Sequence, residues 1–139
     1  MRFVCDSPDG KTWFRLETEA EADAESEVMR HAVEKYYRRE HEAAARSFQP
    51  RSTVFFEQEI GLKEHIQRTM PLFLTLRDAE GTALATAMIA AGGQEKPGFR
   101  PIIVGPGNAD PYGPHGVAIN ALGDHFHIAL DRGRCYPYR

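Results

Sequence analysis

The sequence predicts an α+β fold: a small, mainly antiparallel sheet packed against a long N-terminal helix, with a short C-terminal helix. Three observations carry this reading. Residues 71–90 alternate with period two on both sides of a tight turn. Residues 1–17 repeat that hairpin pattern on a smaller scale. Between the two lies a helix-forming stretch that opens on a capping box. The sheet would hold the two hairpins plus one or two later strands, and runs of strands with few helices favour this over a doubly wound parallel sheet. The 139 residues fit one globular domain, 1–139.

The first hairpin pairs Arg2-Phe3-Val4-Cys5 with Thr12–Leu16. The linking Asp6–Gly10 contains Pro8, which presets φ, and Gly10, which accepts a positive φ. Trp13, the single tryptophan, is expected to anchor the core or the hairpin face. Thr18-Glu19-Ala20-Glu21 then forms the capping box. Acids crowd the start of the helix (Glu19, Glu21, Asp23, Glu25) and bases its end (Arg38, Arg39, Arg46), which suits the helix dipole. One helix is expected from Glu19 to Arg46, about 40 Å long. Ala24, Val28, Ala32, Tyr36 and Ala43 would line its inner face, and Glu34–Arg38 and Glu42–Arg46 would pair along its outside. A helix this long would project past the body and meet a partner protein or a second copy.

Ser47–Ser52 reads as a linker, Thr53–Phe56 as a short strand and Gly61–Arg68 as a short helix halted by Pro71. In the second hairpin, Leu72, Leu74 and Leu76 alternate with Phe73, Thr75 and Arg77 before the turn Asp78–Gly81. On the returning strand, Ala85 and Ala87 leave room for close packing, and the long helix is the expected neighbour. Ala91–Gly98 is a polar connecting loop with the position of a flap.

Phe99–Phe126 has the densest punctuation in the chain. A strand at Ile102–Val104 enters a loop rich in Gly and Pro, and Pro114 suits the first turn of a helix. The favoured reading is a helix from Pro114 to Leu122, with Gly123 ending it, then a strand from His125 to Asp131. The competing reading extends the helix through Phe126. The choice matters for chemistry. On a strand, His125 and His127 share a face and, with His115, make a candidate metal set; on a helix they point about 200° apart.

The functional signals are sparse. A formal charge of −3 and a pI near 6.1 give no basic nucleic-acid footprint, so a nucleic-acid partner is disfavoured. The longest mostly apolar run, Leu84–Ala91, is too short for a membrane span. No leader is expected, because Met1–Val4 runs straight into a turn, and the two distant cysteines suggest a reduced, cytoplasmic protein. Gly105-Pro106-Gly107-Asn108 lacks the Gly-Lys-Ser/Thr of a P-loop, GxGxxG and GxSxG are absent, and no motif names a cofactor. Arg100, Asn108, Asp110, Tyr112 and His115 are the candidate ligand-binding residues around the 105–116 loop. The tail, Arg132–Arg139, is expected to dock through Tyr136 and Tyr138. Three function classes follow: a non-catalytic binding or accessory protein acting through protein contacts, a small-molecule binding domain centred on residues 105–116, and an enzyme using the C-terminal histidines with a metal.

Overall fold

Backbone pairing draws the strands into one antiparallel meander. A computed structural model describes residues 1–137, so the expected docking of Tyr138 lies outside the described residues. The elements run β1 (Arg2–Asp6), β2 (Thr12–Arg15), α1 (Glu19–Met29), α2 (Val33–Arg46), α3 (Phe55–Thr69), β3 (Leu72–Arg77), β4 (Ala83–Ile89), β5 (Ile102–Val104) and α4 (Tyr112–Phe126). The sheet order is β1-β2-β3-β4-β5, each neighbour antiparallel. Both hairpins form where the alternation places them.

Register divides the sheet into two faces. Phe73 pairs with Met88 and Met88 with Ile102, so all three point to one side. Leu16, Ala22, Val33, Tyr37 and Met70 complete the core there, supplied by α1, α2, the residue after β2 and the C-cap of α3. On the other side Leu74 pairs with Ala87 and Ala87 with Ile103, and this layer packs against Ala118, Ile119 and Leu122 of α4. The small residues of β4 therefore receive α4, not the N-terminal helix. Trp13 sits at the centre of this second layer with no exposed surface, and its indole N–H donates to the Ala118 carbonyl at 2.8 Å.

The single long helix does not form. It breaks at Arg30, which takes a left-handed conformation (φ 55°, ψ 51°). The Arg30 and His31 N–H groups both donate to the Ser26 carbonyl, closing α1. α2 then folds back along α1. Arg38 bonds Glu19 at 2.7 Å and approaches Asp23 at 3.5 Å, rather than pairing with Glu34. Ser26 ties the corner: its hydroxyl bonds the Glu34 carboxylate and accepts from the Glu34 N–H. The buried face of α1 is Ala22, Glu25, Ser26 and Met29, while Ala24 and Val28 face outward.

Two further expectations are corrected. Thr53–Phe56 is not a strand. Ser52 Oγ accepts the Val54 N–H, the Gln58 side chain donates to the Ser52 carbonyl, and α3 starts at Phe55. Nor does His125–Asp131 form a strand, because α4 continues to Phe126 and ends on His127 at φ 58°. Gly123 lies inside that helix. The chain turns back so closely that a Cβ on Gly123 would meet the Ile128 carbonyl oxygen at 2.9 Å.

The 91–98 loop is pinned at its start. Gly93 has φ +70°, and a Cβ there would lie 2.1 Å from the Phe126 ring, so only glycine fits. The tail docks through backbone: the Tyr136 N–H donates to the Pro101 carbonyl, and the Tyr136 carbonyl accepts from Ile103, beside β5. The Tyr136 ring itself is half exposed. Among the described residues no helix is long and apolar enough to cross a membrane.

Candidate functional site

Beneath the break between α1 and α2 lies a largely buried polar cluster of Glu25, Arg77, Thr86 and His31. Glu25 is 1% exposed and sits over the sheet. Its carboxylate accepts from Arg77 Nη2 at 2.8 Å and from the Thr86 hydroxyl at 2.6 Å. Arg77 also donates to Thr75 Oγ1 and to the Gly81 carbonyl. A buried carboxylate needs this company, because burying an unpaired charge is prohibitive. Among the described residues no buried side-chain nitrogen or oxygen is left without a partner.

Thr86 passes the order of the network on to His31. The threonine proton goes to Glu25, so its oxygen accepts from His31 Nε2 at 2.8 Å. That assigns the ring proton to Nε2, and Nδ1 faces the Val33 N–H at 3.4 Å. Both ring nitrogens are committed, and the imidazole is neutral. Burial pushes the His31 pKa down and outweighs the opposing pull of Glu25 and Glu34.

His31 and Thr86 open onto a cavity of about 280 Å³ between the α1–α2 corner and strands β4 and β5. Phe73, Met88, Ile102 and Val104 supply apolar wall. Tyr36 lines one side, with Arg39 stacked 4.9 Å from its ring centre. Asn108 also lines it. It reaches there through a left-handed φ of 63°, a conformation asparagine tolerates, in the turn where the Gly105 N–H donates to the Ala109 carbonyl at 2.7 Å. Among the described lining residues none is Lys, Arg, Asp or Glu.

The residues expected around the 105–116 loop are not brought together. Only Asn108 reaches this cavity; Arg100 lines a different cleft. Asp110 accepts the Tyr112 N–H at the start of α4 and bonds Arg132 at 2.8 Å, and these contacts hold its carboxyl below the usual range. The Tyr112 hydroxyl donates to the Leu130 carbonyl. His115 Nδ1 lies 3.0 Å from Lys11 Nζ, which also bonds the Pro114 carbonyl and Asp9. Those three residues bind α4 to its surroundings. His125 is in the last turn of α4 and His127 caps it, both exposed, so they do not share a strand face. Among the described residues no group of three His, Cys, Asp or Glu side chains is placed to hold a metal ion. Cys5 and Cys135 are free thiols, and burial pushes both pKa values up, away from the reactive thiolate.

No protein family, curated protein or solved structure that was compared matches the chain. What the site can do is read from its own chemistry. Glu25, His31 and Thr86 escape sequence reasoning because each looks ordinary in isolation. Glu25 reads as one of several acids at a helix start, and His31 as mid-helix surface. The available signal was the spacing of Ala22, Glu25, Ser26 and Met29, which marks a single helix stripe.

The histidines set an expected pH response. His31 and His115 both have folded pKa values below the ordinary value of about 6.5. The unfolded chain therefore takes up protons first on acidification. Stability is kept above that value and falls as pH drops below it. Melting temperatures measured from about pH 7.5 down to 5 should decline on the acid side. His31→Gln, which keeps a donor for Thr86 and removes the titration, should flatten part of that decline; an unchanged profile would remove His31 from the account.

Proposed function

We propose that the protein is a non-catalytic binding module that takes an uncharged, partly apolar small molecule in the cavity above Thr86. The observation that carries this is the composition of the lining: apolar strand side chains, with Tyr36, His31 and Asn108 converging and no charged group among the described residues. Concave, mostly apolar walls with a few placed polar groups are the usual form of a small-molecule site. The volume suits a compact ligand. Binding is favoured over acid–base catalysis because both ring nitrogens of His31, the one imidazole among the described lining residues, are committed. The two free thiols fit a reducing, cytoplasmic setting.

Val104→Trp tests the proposal. Val104 lies in the cavity wall directly across from Thr86, and an indole there fills the space a ligand would take. A library of neutral fragments should yield compounds that raise the melting temperature of the native chain by mass action, and Val104→Trp should abolish those shifts while keeping the fold. Fragments that never shift the native chain, or shift both proteins equally, would overturn it.

A second reading rests on a separate surface. Val54, Phe55, Phe56 and Ile60, at the start of α3, are 53%, 73%, 67% and 44% exposed. No α3 residue is fully buried. An apolar turn of this kind suits a protein contact, with a partner or a second copy. This role moves from the expected long helix to α3, because α1 and α2 cover each other.

A further inference from the structure

A second cleft, of about 630 Å³, shares no lining residue with the Thr86 cavity. The loop after β4 forms one wall and the segment after α4 the other. Its chemistry is the reverse of the cavity's. Lys96 and Arg100 line the first wall and Arg134 the second, while Ile89, Phe99 and Ile128 supply apolar surface between them. Among the described residues neither Lys96 nor Arg100 has an ion-pair partner. Arg134 reaches only Asp131, at 3.5 Å, and both are largely exposed, a geometry that contributes little. Among the described lining residues the one acid is Glu95. Its Oε1 accepts the Ala129 N–H at 3.0 Å, which ties one wall to the other and leaves the lining with three cations against one carboxylate.

We propose that this cleft binds an organic anion: a single carboxylate, sulfonate or phosphate head on an apolar body. The three cations attract the head and give it hydrogen-bond donors. The apolar surface gains by covering the body. A bare inorganic ion would leave that surface wet, and a neutral ligand would leave the cations unused. Neither class matches the cleft as well as one molecule that carries both features. This inference stands apart from the neutral cavity and survives its failure.

Two dyes that differ by one charge provide the test. 8-Anilinonaphthalene-1-sulfonate carries a sulfonate on the ring system of N-phenyl-1-naphthylamine, which is uncharged. In fluorescence titrations of the full chain at low salt, the sulfonate should bind saturably at one site, about tenfold or more tighter than the neutral dye. Combining Lys96→Gln, Arg100→Gln and Arg134→Gln should erase that gap. Val104→Trp should leave it intact, which separates this cleft from the Thr86 cavity. The native chain supplies a control that needs no variant: raising salt to about 0.5 M should weaken the sulfonate and spare the neutral dye. Equal affinities for the two dyes, a gap that persists in the triple variant, a gap lost in Val104→Trp, or indifference to salt would each overturn the proposal.

Discussion

Glu25→Ala is expected to cost about 3 kcal/mol of stability, read from urea unfolding followed by Trp13 fluorescence. The carboxylate is buried and satisfies Arg77 and Thr86 together. Its removal leaves the Thr86 hydroxyl without its acceptor and the guanidinium without its counter-charge. The loss should sit at the low end of the range of about 3–5 kcal/mol for broken buried pairs, because the Arg77 side chain is 21% exposed and keeps its bonds to Thr75 and Gly81. Glu25→Gln preserves the shape but turns an amide N–H₂ toward donors, so a loss of about 1–2 kcal/mol is expected. Pairing Glu25→Leu with Arg77→Met should recover most of the stability, since replacing a whole buried pair costs far less than splitting it. A Glu25→Ala loss below about 1 kcal/mol would mean that water reaches the carboxylate in solution.

Trp13→Ala should cost more, about 4 kcal/mol. The indole is fully buried between β2 and α4, and its removal forfeits both the apolar burial and the bond to Ala118. Trp13→Phe separates the two terms. It keeps most of the packing and loses the N–H donor, so about 1–2 kcal/mol is expected. Unfolding must then be followed by circular dichroism, because the single tryptophan is gone. If Trp13→Phe proves as damaging as Trp13→Ala, the shape of the indole matters beyond its area, and the apportioning between packing and bonding is wrong.

Much of the architecture was legible. The alternation from Leu72 to Ile89 has no helical solution that also explains the Asp78–Gly81 turn, and the hairpin formed as read. Thr18 caps α1 as its side chain allows, accepting the Glu21 N–H. Where reading failed, side chains or distant segments overrode local preference. No Gly or Pro announces the break at Arg30; its strain is offset by two bonds to the Ser26 carbonyl and by the Ser26–Glu34 contact across the corner. Val54, Phe55 and Phe56 look β-forming, yet Ser52 nucleates a helix beneath them. The histidine alternation after Asp124 mimics a strand only because the helix end and the capping residue happen to fall two apart. The site was hardest of all. Glu25 is buried because Arg77, far along the chain, neutralises it, and local sequence contains no trace of that pairing.

The placement of α1, α2 and α3 also orders how the sheet assembles. β3 and β4 meet across one turn, where the Asp78 N–H donates to the Thr82 carbonyl. β2 and β3 are separated by residues 16–71, which hold three helices. Loop-closure entropy grows with the length enclosed, so each hairpin closes cheaply across its own turn, while pairing β2 with β3 carries the cost of the long intervening segment. β1 and β2 precede the other strands along this chain, yet their place in the sheet depends on that costly closure. Until that closure is made the layer that Trp13 completes is open on one side, so the first hairpin serves as the seal on the core.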